Sequence, residues 1–108
     1  MNEMRELDVA TFGEWREQHT PHLLLDVREA VELKAASVDG ATWIPMGQLI
    51  ERIDELPSGV PIVVMCHHGT RSTMVAEYLA GIGRPDVYNL TGGIESYAQR
   101  VDPSIARY

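Results

Sequence analysis

The segment Val60-Pro61-Ile62-Val63-Val64-Met65-Cys66-His67-His68-Gly69-Thr70-Arg71-Ser72 constrains this chain more than any other. Ile62 to Met65 is an unbroken apolar run after a proline, which predicts a short strand buried on both faces. Past Ser72, the residues Val75, Tyr78, Leu79 and Ile82 recur at i, i+3, i+4 and i+7, the stripe of a helix packed on a sheet. Gly83 and then Pro85 mark its end. The single cysteine therefore falls at the C-terminal end of a buried strand, with five residues between it and the start of the predicted helix.

That position has chemical consequences. A tight loop closing onto a helix N-terminus turns several backbone N–H groups toward one point, where the helix dipole adds positive potential. A thiol held there ionises more readily, and the thiolate is the reactive form. Gly69 permits the turn, Arg71 adds a permanent cation, and Thr70 and Ser72 add hydroxyl donors. The competing readings are a cysteine that is merely a small buried apolar residue, and a metal site at Cys66, His67 and His68. The first is disfavoured by the sequence that follows the cysteine. The second is disfavoured because adjacent residues do not readily converge on one tetrahedral ion and no second cysteine supplies a partner. No metal or cofactor is expected, and His67 and His68 remain open between a role in the loop and simple solvation.

The chain has 108 residues, enough for one domain with a single core. A net charge of −7 argues against nucleic acid, whose phosphates demand a basic face. One cysteine excludes an internal disulfide framework, and a reactive thiol fits a reducing, cytoplasmic setting. Met1 to Asp8 carries four charged residues and reads as neither signal peptide nor anchor. No run approaches the ~20 apolar residues of a membrane span.

In chain order, Met4 to Val9 suits a short edge strand. Thr11-Phe12-Gly13-Glu14 reads as a capping box opening a short helix, with Phe12 and Trp15 as core anchors. His22 to Val27 is the first clear buried strand. Asp26 and Arg28 follow at its C-terminal edge, where an open α/β sheet carries its ligand crevice. Asp26 is read as a cap of the short helix starting near Glu29, with a place beside the cysteine loop as the alternative. Arg28 is read as an ion-pair partner. Ala41 to Ile44 is the next strand, closed by Pro45, and Met46, Leu49, Ile50 and Ile53 mark an amphipathic helix with a solvated charged face. Val87 to Leu90 is the last strand. Gly92-Gly93 turns into a helix over residues 94–101 with Ile94, Tyr97, Ala98 and Val101 inward, and residues 102–108 form an irregular surface tail. Strands alternating with helices imply a parallel sheet covered on both faces.

Four pieces, in this order and spacing, resemble the rhodanese family of sulfurtransferases, specifically its small single-domain members: Leu24-Leu25-Asp26-Val27-Arg28-Glu29, Gly40-Ala41-Thr42-Trp43-Ile44-Pro45, the loop Cys66 to Arg71, and Leu90-Thr91-Gly92-Gly93-Ile94. The family's usual Gly-His-Ile is here Ala36-Ser37-Val38, and its frequent tryptophan after the double glycine is here Tyr97; both departures read as structural. The resemblance implies a three-layer α/β/α fold, a five-stranded, mainly parallel sheet in the order 3-2-4-5-1, and one domain over residues 1–108 with a core of about 5–101. It also implies that Cys66 takes the sulfane sulfur of a donor such as thiosulfate, holds it as a persulfide, and passes it to cyanide or a thiol. His67, His68, Gly69, Thr70, Arg71 and Ser72 would bind the substrate; Asp26 and Arg28, from their place at the strand's C-terminal edge, are the candidates for a supporting layer behind them. For Arg71 the alternative is an outward orientation, paired with an acidic neighbour. The expected partners are a small sulfur donor and a thiol or cyanide acceptor, with a thioredoxin-like or sulfur-carrier protein as a further candidate, and neither nucleic acid nor membrane. Cysteine-dependent phosphatases place one more residue between cysteine and arginine than the four found here, so the shorter loop suits sulfur better. A persulfide carrier serving one protein and a non-catalytic binding module are the remaining alternatives; the second usually lacks the cysteine.

Overall fold

A computed structural model describes residues 2–108; Met1, the first residue of the stretch read as neither signal nor anchor, lies outside the described residues. The elements run β1 (Arg5–Leu7), α1 (Val9–Glu17), β2 (Leu23–Asp26), α2 (Ala30–Ala35), β3 (Thr42–Trp43), two 3-10 turns (Met46–Gln48 and Ile53–Glu55), β4 (Ile62–Met65), α3 (Thr70–Gly81), β5 (Val87–Leu90) and α4 (Gly93–Arg100). The five strands lie in the order β1-β5-β4-β2-β3, the expected order read from its other end. Every pairing is parallel, β1 included, so the sheet is wholly rather than mainly parallel.

The central strand explains the layering. All four residues of β4 are buried, and alternate side chains point to opposite faces. Ile62, Val64 and Cys66 pack with Val75, Ala76 and Leu79 of α3 and with Leu49 and Leu56. Val63 and Met65 pack with Phe12 of α1 and with Ile94 and Tyr97 of α4. Phe12 meets the Tyr97 ring edge-on at 5.4 Å between centroids, so Tyr97 fills the core from the position where the family often has tryptophan. Ala36 and Val38 are buried on this same face.

Several local expectations change. Asp8, not Thr11, opens α1: its carboxylate accepts from the Thr11 N–H at 2.7 Å. The helix predicted from Met46 to Ile53 is two short 3-10 turns; Met46, Leu49 and Ile53 pack on the core beside α3, but the broken helical spacing leaves Ile50 69 % exposed. α3 starts at Thr70, inside the loop that follows Cys66. Its buried stripe is Ser72, Val75, Ala76, Leu79 and Ala80, while Tyr78 and Ile82 are exposed.

Asp26 does not cap α2, whose N-cap is Glu29. It instead accepts from the Arg28 backbone N–H at 3.1 Å and from the guanidinium, the shortest bond being Nη2 to Oδ2 at 2.7 Å. Arg28 is fully buried; Nη2 also donates to the Ala36 carbonyl at 2.9 Å, and Nη1 to the Tyr108 hydroxyl at 2.8 Å. Burial opposes its charge, but the bonds to Asp26 and Tyr108 outweigh that and hold its proton more tightly than usual. One side chain thus joins the end of β2, the end of α2 and the tail.

Removing one member of a buried ion pair strands the other in a poor solvent for charge. Arg28→Ala is therefore expected to lose about 3–5 kcal/mol of stability. Glu55→Ala, which removes a surface partner of Arg52, is expected to change the urea midpoint little. Equal midpoints for the two variants would show that the Arg28 hub carries no structural role.

Candidate functional site

At the C-terminal edge of the sheet, the chain turns from β4 through Cys66, His67 and His68 into Gly69. Gly69 has φ +113°, a conformation that L side chains rarely adopt, and it forms the N-cap of α3. The loop is held from outside by α4. The Cys66 carbonyl accepts from the Ile94 N–H at 2.9 Å, and the His67 carbonyl from the Glu95 N–H at 3.1 Å. Gly93 allows this approach: a Cβ there would stand 2.5 Å from the Cys66 carbonyl oxygen and against that of His67. With its carbonyls drawn outward, the loop turns its N–H groups inward.

Those donors converge on the thiol. Cys66 is 1 % exposed, and its Sγ receives the Gly69 N–H at 3.1 Å and the Ser72 N–H at 3.4 Å. The Ser72 hydroxyl lies 3.3 Å from the same sulfur. Among the described residues, the N–H groups of His67, His68, Thr70 and Arg71 have no hydrogen-bond acceptor.

Arg71 reaches the rim but is already engaged. Its Nη1 and Nη2 donate to Glu32 Oε1 and Oε2 at 2.6 and 2.8 Å, a bidentate pair between α3 and α2. The paired orientation weighed as an alternative is the one the fold adopts. The bond from Arg71 chiefly pulls the Glu32 carboxyl down to about 2, and the same bond holds the proton on Arg71 more firmly. Tyr108 adds to this pair by donating its hydroxyl to Glu32 Oε2 at 2.8 Å. Its ring stacks on His67, with centroids 3.8 Å apart and planes 7° apart, and His67 in turn lies against His68 at 3.9 Å. Burial, aided by the neighbouring His68 charge, pushes the His67 imidazole below its ordinary value. His68 and Thr70 are exposed at the rim.

The structure places Cys66, His67, Gly69, Arg71 and Ser72 in one loop and the first turn of α3, while the Asp26 and Arg28 side chains bond each other behind it. Arg28 is linked to His67 through Tyr108, which accepts from Nη1 and stacks on the imidazole, and Asp26 is linked through Arg28. The sequence reading missed Glu32, Tyr108, Glu6 and Asn89. Asn89 carried a usable signal: it is the polar residue in a strand otherwise read as buried, and buried polar groups are bonded to something. Its Oδ1 accepts from the Ser72 hydroxyl at 2.5 Å. Glu32 and Tyr108 carried none, because their roles depend on how α2 and the tail fold back.

Residues 8–100 match the family described as "Rhodanese-like domain". The chain is 36 % identical over 74 residues to the thiosulfate sulfurtransferase GlpE of Tolumonas auensis, spanning 68 % of this chain and 70 % of that protein. It is 39 % identical over 89 residues to the rhodanese-like/PpiC domain-containing protein 12, chloroplastic, of Arabidopsis thaliana; the match spans 79 % of this chain but only 30 % of that protein. Among solved structures, the rhodanese-related protein from Thermoplasma volcanium superposes with a TM-score of 0.80 at 30 % identity, covering 90 % of this chain and 93 % of the other.

The Glu32 carboxyl sits below its ordinary value of 4.5 in the folded chain, so its pairing contributes fully above that pH and is lost as pH falls toward about 2. Because Arg71 is partly open to solvent, which screens the pair, Glu32→Gln is expected to lose about 2 kcal/mol at neutral pH. The difference from the parent should shrink between pH 4.5 and 2. Urea titrations at a series of pH values read this directly. A difference that stays constant over that window would assign the loss to packing and not to the ion pair.

Proposed function

The chain belongs to the rhodanese-like domain family, and we propose that it is a sulfurtransferase working through a persulfide on Cys66. The observation that carries this reading is the buried Cys66 Sγ at the focus of the Gly69 and Ser72 N–H groups, inside a loop with further unpaired N–H groups. In the first half-reaction the Cys66 thiolate attacks the outer sulfur of a donor such as thiosulfate. The new Sγ–S bond forms, the donor's S–S bond breaks, and sulfite leaves with the electron pair. The loop's N–H groups hold the persulfide that remains and stabilise its charge without reorganising. In the second half-reaction cyanide or a thiolate attacks the terminal sulfur and the Cys66 thiolate is restored, a ping-pong cycle. No cofactor enters either step. Residues 1–108 act as a single unit in this scheme, in a reducing cytoplasmic setting that keeps the thiol available between turnovers.

A second reading concerns the donor, and the Arg71–Glu32 pair favours it. A cation held bidentately by a carboxylate attracts a dianion less than a free one does. Sulfur arriving on a protein or small-molecule persulfide needs that cation less. We propose thiosulfate as a competent donor and a thioredoxin-like or sulfur-carrier protein as a candidate partner, with loading by thiosulfate restrained by Glu32. The four-residue spacing between Cys66 and Arg71 keeps the pocket small and supports sulfur over phosphate.

Intact mass after incubation with thiosulfate is expected to rise by one sulfur and to return on adding cyanide. Cys66→Ser is expected to fold normally and to gain nothing, since a hydroxyl cannot form the persulfide. A stable phosphate adduct from an aryl phosphate, with no sulfur gain, would move the chain to the phosphatases.

Stopped-flow loading and discharge, measured separately, test the donor reading. Arg71→Ala is expected to raise the thiosulfate KM, with a loss of roughly 1.5–3 kcal/mol in loading and a smaller loss in discharge. Glu32→Gln, which frees the guanidinium, is expected to lower that KM. Equal losses in both half-reactions for Arg71→Ala would overturn the donor-capture role.

A further inference from the structure

The thiol is connected to the surface by a line of side chains that no step above uses. Glu6 of β1, Asn89 of β5 and Val64 of β4 lie in one register across the sheet, so their side chains share the face covered by α3. Asn89 is 3 % exposed and Ser72 fully buried. The Ser72 hydroxyl lies 3.3 Å from Cys66 Sγ and donates to Asn89 Oδ1 at 2.5 Å. Asn89 Nδ2 donates to Glu6 Oε1 at 2.8 Å, and the Thr91 hydroxyl donates to that same oxygen at 2.7 Å.

The direction of every bond in this line is fixed from its outer end. An ionised carboxylate only accepts, so Glu6 must face the amide nitrogen of Asn89. That leaves Oδ1 facing Ser72, and an amide oxygen also only accepts, so the Ser72 proton points at Asn89. The lone pairs of Ser72 Oγ then face Cys66 Sγ. In this arrangement Ser72 accepts from the protonated thiol and has nothing to donate to the thiolate. To serve the thiolate, its hydroxyl must turn to the sulfur and leave the buried Asn89 oxygen unpaired, which is unfavourable.

We infer that Glu6 and Asn89 are positioning residues that set the direction of the Ser72 hydroxyl and thereby govern how readily Cys66 gives up its proton. In the Glu6→Gln variant the outer partner can donate as well as accept. Asn89 can then turn its amide, present Nδ2 to Ser72 Oγ, and release the hydroxyl to donate to the sulfur anion. The other charged and titratable groups around the loop are Arg71, Glu32, His67, His68, Glu95 and Tyr108. None of them hydrogen-bonds to Ser72 Oγ or to the Asn89 amide. They therefore act on the thiol by charge alone, and identically in the parent and in relay variants.

The inference rests on Cys66 being the reacting thiol, and its test does not depend on sulfur transfer. The rate of alkylation by iodoacetamide is followed by mass across pH 5–10; the S–C bond forms, iodide leaves, and the proton goes to solvent. Glu6→Gln is expected to raise the rate at the acidic end by about three- to tenfold, the scale of one hydrogen bond gained by the anion, and to leave the high-pH plateau unchanged. Asn89→Leu, which removes the acceptor, should shift the profile in the same direction. Glu6→Gln also deletes a negative charge, and the Ser72→Ala background separates the two effects. An effect of charge through space persists there, whereas an effect relayed by the hydroxyl disappears. A Glu6→Gln profile identical to the parent's would overturn the inference, and so would a shift that survives in Ser72→Ala. Should Asn89→Leu fail to fold, the Glu6 and Ser72 cycle decides alone. An altered profile with no sulfur transfer by the parent would leave this inference standing while overturning the sulfurtransferase reading.

Discussion

The N–H groups of Ile94 and Glu95 hold the carbonyls of Cys66 and His67, and the chemistry of the loop depends on that grip. A peptide is a rigid plane, so fixing its carbonyl on one side fixes its N–H on the other. With two successive carbonyls drawn to the first turn of α4, the N–H groups of the same two peptides, those of His67 and His68, are turned away from α4. Helix α4 also gains, since two of its otherwise unpaired N-terminal donors find acceptors. The cost is steric: the loop must come so close that only hydrogen fits at Gly93, and Gly92, at φ +80°, must turn the chain just before it. The double glycine belongs to the thiol cradle although it lies far from Cys66 in sequence.

Among the described residues, Asp26, Arg28, Ser72 and Asn89 are the polar side chains that the fold buries. They form two networks on opposite faces of the sheet. On the α3 face, Ser72 and Asn89 link the thiol to β5. On the other, Asp26 and Arg28 anchor Tyr108, whose ring supports His67 and whose hydroxyl reaches Glu32. Buried polar groups contribute little net stability when compared with apolar ones of the same shape. Their concentration at the C-terminal edge, with an apolar sheet behind them, is the arrangement of a site held in one geometry.

Much of this is legible in the sequence because it rests on short-range patterns. The apolar run of β4 needs no partner to be recognised, and Val87–Leu90 is placed to the residue because a proline and a threonine-glycine turn bound it. The start of α3 is misjudged because stripe periodicity detects where a helix packs, whereas the loop begins the helix earlier, at the αL turn of Gly69. The Met46–Ile53 segment shows the opposite failure: apolar spacing suits a helix, but two tight turns replace it, burying Leu49 beside α3 and releasing Ile50. Asp26 is misassigned for a further reason. Its spacing from Glu29 permits a cap, yet a guanidinium two residues away offers a carboxylate more than a single helix N–H does.

The candidate site is legible only on its inner side. Cys66, Gly69 and Ser72 are close neighbours in the chain, so their convergence follows from one loop closing on one helix. What surrounds them comes from Glu6, Glu32, Asn89 and Tyr108, which meet the loop through a sheet register, a helix packing and a returning tail. These outer residues set the electrostatic character of the site. Arg71 read alone is a cation waiting for an anion; paired with Glu32 it becomes a neutral rim that ties α2 to α3. Ser72 read alone is a donor to sulfur; facing Asn89 it becomes an acceptor. The loop sequence thus specifies that a thiol is held among amides, while more distant residues set the hydrogen-bond partners and the charges that surround it.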